Sequence, residues 1–154
     1  MNTIATHALE FDSRLEATAA AATELRDWCA RVGVAEAELM MIELCLVEAM
    51  NNAVEHGCGN ESGQRIEATG RLDGNRLELC VRGPGEAMDG DLFEATPSGF
   101  EDPDPDDLAT WDDRGRGITI IKSVMDSVEY SHEDGLSCIT MGKDVMLEDA
   151  GGTA

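Results

Sequence analysis

The chain has 154 residues and carries 11 Lys+Arg against 32 Asp+Glu, a formal net charge of −21. So acidic a surface repels phosphate backbones and anionic lipid heads, which excludes nucleic acid and membrane surfaces as partners. A hydrophobic share of 42% is too high for a disordered chain, the length suits one domain of 1–154, and no apolar run reaches the roughly 18 residues of a membrane span.

Residues 3–9 read as a short strand. The opening MNTIATHALEFD has no basic stretch followed by an apolar one, so no signal peptide is expected and the chain is assigned to the cytoplasm. From Asp12 and Ser13, either of which can cap, Ala, Leu and Glu run helically to about Arg31, and Gly33 stops that helix. A second helix runs from near Ala35 to about His56, with Leu39, Ile42, Leu46, Val47, Met50 and Val54 recurring at three- and four-residue steps. Beyond Gly63 the period changes to two. Residues 64–70 and the cleanly alternating 76–82 flank an Asp73-Gly74 turn and form a hairpin.

Residues 83–113 follow neither period. From 86 to 113 there are 11 acidic residues and no Lys or Arg, about half the net charge in one stretch. It is too long for an ordinary connection and reads either as a solvated loop or as a lid over a site. A third helix is expected at 117–125. A strand begins at Val128, a turn falls at 133–135, a last strand spans 136–143, and residues after about Val145 fray. Helices grouped apart from antiparallel hairpins imply an α+β fold, a two-layer α/β sandwich with helices on one face of a mixed, mostly antiparallel sheet. The five cysteines (29, 45, 58, 80, 138) show no CxxC spacing and no clustering with the three histidines. They read as buried thiols, with zinc or a disulfide framework as lesser alternatives.

The second helix carries the chemistry. Within a mostly apolar run, Glu48 and Asn52 stand four apart on one face. A carboxylate and a carboxamide so spaced can share a magnesium ion and its waters, or the carboxylate can take a proton from a hydroxyl. The plainer alternative is an exposed Glu–Asn pair, and for an isolated ExxxN it is the commoner outcome. Asn51-Asn52 in mid-helix has poor helix propensity, which calls for a reason.

The segment EAMNNAVEHG (48–57) resembles the N-box of the GHKL ATPase superfamily, closest to its small anti-sigma-factor serine/threonine kinases. Residues 113–130, with Arg114, Gly115, Arg116, Gly117, Lys122 and a Met125-Asp126 ending, look like that family's second glycine box and following helix. The closing 135–143 resembles its last strand, and the likeness spans about 3–145. It implies the Bergerat ATP-binding fold, ATP and Mg as cofactors, Glu48 as general base on a target serine, and Asn52 as the magnesium-holding residue. It further implies phosphate contacts from Arg114, Gly115, Arg116, Gly117 and Lys122, and a first glycine box at Gly83 and Gly85. An anti-anti-sigma (STAS) protein, a sigma factor, or both are the implied partners, and a homodimer the implied assembly.

At the first glycine box the chain departs from the pattern. The family's adenine-contacting aspartate aligns with Gly83 or with Val81, and neither is a carboxylate. Losing one charge-assisted hydrogen bond weakens a site roughly 10- to 100-fold. Two functions therefore stand open: an ATP-dependent serine/threonine kinase, or a binding module that sequesters a sigma factor or regulatory partner without kinase activity. A third, an acidic metal-storage protein, has only the charge of 86–113 behind it.

Overall fold

The computed structural model describes residues 4–59, 62–85 and 113–148, with the side chains of 56, 57 and 113–116 outside the description. The acidic stretch of 86–112 therefore lies outside the described residues, as do 149–154.

Alternation in the sequence becomes strand wherever one face can be buried. The strands are β1 (Ile4–Asp12), β2 (Arg65–Asp73), β3 (Arg76–Pro84), β4 (Ser127–Glu133) and β5 (Leu136–Asp144). They form one sheet in the order β1-β2-β3-β5-β4, and every pairing among the described residues is antiparallel, where the sequence suggested a mixed, mostly antiparallel sheet. The reason is local: two tight hairpins, at Gly74-Asn75 and Asp134-Gly135, generate most of the sheet. Asp134 and Gly135 both take positive φ (55° and 77°), the backbone twist that a two-residue hairpin requires.

Among the described residues three helices cover one face: α1 (Leu15–Arg31), α2 (Glu36–Asn52) and α3 (Asp113–Val124), with a π-helical turn at Ala53–Gly57 extending α2. The core lies between the layers. Leu25, Trp28 and Cys29 of α1, Ile42, Leu46 and Met50 of α2, and Ile118 and Ile121 of α3 pack on Ile66, Leu72, Leu77, Leu79, Val81, Ile139 and Met141 of the sheet. At about 25 cal/mol per Å² of apolar area, this burial is the main stabilising term.

One contact is unusually tight. Trp28 stacks on His7 of β1, ring centroids 6.0 Å apart, and covers Gly70, the residue paired with His7 on β2. A Cβ at Gly70 would lie 2.5 Å from Trp28 Cζ3. The indole is buried and rigid, so it cannot yield cheaply. Gly70→Ala is expected to cost about 2–3 kcal/mol by overpacking, read as a lower midpoint at unchanged m-value in urea unfolding.

Three further sequence expectations change. Asp12 and Ser13 do not cap α1; Arg14 occupies that position with no side-chain bond. Their oxygens accept instead from the backbone N–H groups of Gly63 (2.7 Å) and Gln64 (3.0 Å), tying the start of α1 to the start of β2. Residues 145–148 are docked and not frayed. Val145 is buried, Ala35 N–H donates to Met146 O, and the Glu148 carboxylate accepts from Glu36 N–H at the open end of α2. The cysteines divide into two groups. Cys29, Cys45 and Cys58 are buried free thiols, whereas Cys80 and Cys138 are joined as a disulfide.

Candidate functional site

Helix α2 is apolar on the faces that meet the sheet and α1, and Ile42, Cys45, Leu46, Ala49 and Met50 are fully buried there. The face holding Glu48 and Asn52 turns toward α3. The two helices approach where α3 has no side chain, at Gly117. A Cβ built on Gly117 would stand 2.7 Å from Glu48 Oε2 and 3.8 Å from Asn52 Nδ2. The glycine leaves room for the end of the Glu48 side chain, and it lets the carboxylate and the carboxamide reach the first turns of α3.

Asn52 is 7% exposed, and its Nδ2 has no hydrogen-bond partner among the described residues; nor has Oδ1 of Asn51. Orphaned buried amide atoms are rare, because each costs about 1–3 kcal/mol of lost hydration. The sequence signal for them was the pair of asparagines in a helix interior. The helix widens into the π-helical turn immediately beyond, a distortion common at functional sites. A carboxamide can turn its oxygen to a cation, so the Asn52 side chain fits a magnesium ligand.

The π-helical turn brings the end of α2 to the end of β3, where Cys58 Sγ–H donates to Pro84 O at 3.7 Å. Gly85 follows with φ 136°, a conformation that favours glycine, and its N–H donates to Gly135 O in the β4–β5 turn. Gly83 is buried on the helix-facing side, with Ile66 Cγ1 3.2 Å from where its Cβ would be. Val81, two residues back on the same face, is 3% exposed. Both positions that could have held the adenine carboxylate are thus small or apolar and face the interior.

Helix α3 begins at Asp113, four residues before the expected 117. Gly115 and Gly117 are consequently its third and fifth residues. The backbone N–H groups that open the first turn have no i−4 carbonyl within the helix and form its anion-favouring end. The side chains of Arg114 and Arg116 lie outside the described residues. Lys122 is in the last turn, five residues past Gly117 and so roughly 7.5 Å further along the axis. Glu48, Asn52, Gly117 and the start of α3 are brought together; Gly83 and Gly85 lie at the neighbouring strand end, and Lys122 at the far end of α3.

Two further features support this layout. Burial pushes the Cys45 thiol up to about 12, with the nearby charge of Glu48 adding to the effect, so Cys45 stays protonated beside the site. At the other end of α3, Met125 is buried and the Asp126 carboxylate accepts from Asp144 N–H at 2.7 Å, which anchors α3 to β5. The Met-Asp pair is therefore a positional device that holds α3 over the sheet.

Among the described residues no cluster of three or more His, Cys, Asp or Glu is placed to hold a metal, and no helix is long and apolar enough to cross a membrane. No curated protein matches the sequence. The fold is similar to the crystal structure of the RsbU and RsbW domains of Rv1364c from Mycobacterium tuberculosis, with a TM-score of 0.60 and 19% identity. That likeness covers 92% of this chain and 32% of the other, so the present chain spans about a third of its length. Residues 11–143 match the family described as the histidine kinase-like ATPase domain. With α2 and its Glu48–Asn52 face set against the glycine-bearing start of α3 over an antiparallel sheet, the chain belongs to the histidine kinase-like ATPase domain family.

Proposed function

We propose that the chain is an anti-sigma-factor-like serine/threonine kinase that takes ATP with magnesium between α2 and the start of α3 and phosphorylates a STAS-type anti-anti-sigma partner. The observation that carries this reading is the convergence of Glu48 Oε2 and the Asn52 carboxamide on Gly117. In it, Asn52 holds the ion through its amide oxygen, and the free N–H groups of the first turn of α3 hold phosphate oxygens. The Glu48 carboxylate accepts the proton of the attacking serine hydroxyl, and Gly117 leaves it room to do so. Bound magnesium would supply neutralisation of the phosphate charge, which the acidic chain cannot provide for itself. Cytoplasmic residence and a homodimer belong to the same reading.

Calorimetric titration with ATP and magnesium tests it. Binding heat together with a thermal shift supports nucleotide recognition; neither signal at millimolar ATP overturns it.

A second reading is favoured by one observation: the helix-facing end of β3 offers Val81 and Gly83 where a carboxylate would meet adenine. A nucleotide-poor module that binds a sigma factor or regulatory partner through its folded surface would form its complex without ATP and keep it in Glu48→Ala. The two readings separate on Gly83→Asp. If the pocket is otherwise intact, this variant is expected to bind ATP roughly 10- to 100-fold more tightly than wild type by calorimetry. Ile66 must give by a few tenths of an ångström to admit it.

A further inference from the structure

Two cysteines stand apart from the rest of the chain's thiols. Cys29, Cys45 and Cys58 lie under the helices, and burial pushes the first two up to about 12, which leaves them inert. Cys80 and Cys138 lie on the opposite face of the sheet, which none of the described helices covers. The register sets Cys80 across from Thr140 and Cys138 across from Arg82, so the two are diagonal neighbours on adjacent strands β3 and β5. On that face Glu67, Thr69, Arg71, Glu78, Arg82 and Glu129 flank the pair. The Cα atoms are 6.6 Å apart, within the span a disulfide bridges, and the sulfurs are joined. Thr140 Oγ1 lies 3.8 Å from Cys80 Sγ and 3.6 Å from Cys138 Sγ, a polar contact for either sulfur.

The bond is not needed to define the fold. β3 and β5 are already paired along their whole length, from Arg76↔Asp144 to Pro84↔Leu136, and their other faces are fixed by Leu77, Leu79, Val81, Ile139 and Met141 in the core. A cross-link that only repeats a ladder already specified can open without loss of the native sheet. Cys80 is half-buried at the surface and open to a small oxidant, and Arg82 lies across from Cys138 in the ladder.

We propose that Cys80 and Cys138 are a reversible redox modification site, closed by a peroxide and opened by a dithiol reductant. In the closing reaction one thiolate attacks a peroxide oxygen, the O–O bond breaks, and a sulfenic acid forms with release of water. The second thiol displaces the sulfenic oxygen as a second water, so two thiols and one hydrogen peroxide give one disulfide and two waters. Opening transfers the disulfide to the dithiol, which is oxidised in turn. The closed form encloses the whole segment between residues 80 and 138, including the acidic stretch and α3, in one covalent loop.

The test uses the full chain, reduced, desalted and treated with stoichiometric hydrogen peroxide, then alkylated under denaturing conditions and weighed intact. Three alkylated thiols in place of five, and a tryptic species linking 77–82 to 123–143, are expected, with all five recovered after a dithiol acts on the folded protein. Because a loop of 58 residues is closed, the oxidised form should melt several degrees higher than the reduced form. Cys80→Ser and Cys138→Ser should each melt like the reduced wild type and lose that rise. Five alkylated thiols after peroxide, a link to Cys29, Cys45 or Cys58 or between two chains, or a bond that resists the dithiol until the protein unfolds would each overturn the proposal.

Discussion

If the chain is the proposed kinase, replacing Glu48 by glutamine is expected to lower phosphoryl transfer from ATP to a serine of the partner by roughly 10²- to 10⁴-fold, the range a positioned general base contributes. Glutamine keeps the size and polarity of the side chain against Gly117 but cannot accept the proton. Folding should be little changed, since the carboxylate is a partly exposed end and not part of the apolar core. ATP affinity should also persist, because the proposed ion and phosphate contacts come from Asn52 and the start of α3. The decisive measurement is kcat for the variant beside its ATP dissociation constant and melting temperature. A variant as active as wild type removes Glu48 from the chemistry. A wild type that binds its partner without turnover shifts the case to the non-catalytic reading.

Gly117→Ala is expected to separate activity from stability. Alanine at an interior helix position is favoured over glycine by about 1 kcal/mol, which stabilises α3. Against this, the new methyl would sit 2.7 Å from Glu48 Oε2. That atom is the far end of a flexible side chain, so the carboxylate moves away at little cost to the fold. Asn52 Nδ2, at 3.8 Å, is in ordinary contact and stays. The net stability change should remain within about 1 kcal/mol. The displaced carboxylate loses its alignment, and a misplacement near 1 Å costs roughly 100-fold in rate. Urea unfolding and single-turnover transfer on the same preparation check both halves. A large loss of stability would show that Glu48 is held rigidly; unchanged turnover would show that its position does not matter. The contrast with Gly70→Ala is instructive, since a similar intrusion there meets a rigid buried indole and is expected to appear as lost stability instead.

Much of the layout was legible along the chain because it is encoded locally. The hairpin around Gly74 and the strand 136–143 follow from alternation and from residues that tolerate positive φ. The helix carrying Glu48 and Asn52 follows from apolar spacing. The orphaned amides answer to the one local anomaly in it, adjacent asparagines inside a helix. The errors fall where a local signal served a distant partner. Asp12 and Ser13 have the chemistry of caps, yet their oxygens are taken by Gly63 and Gln64, some fifty residues on. The tail past Val145 looks like a frayed end until Ala35 and Glu36 are set beside it.

Composition, period and spacing by themselves determined the two-layer class, the placing of Glu48 and Asn52 on one face of a helix, and the absence of a carboxylate at Val81 and Gly83, because each of these depends only on residue type and on neighbours within a few positions. Only the tertiary structure decided that Gly117 is the gap through which Glu48 and Asn52 reach α3, and that Cys80 meets Cys138 across a seam between β3 and β5. Those contacts join residues 58 to 69 positions apart, and no local preference carries information about which distant side chain will arrive; packing of the two layers supplies it.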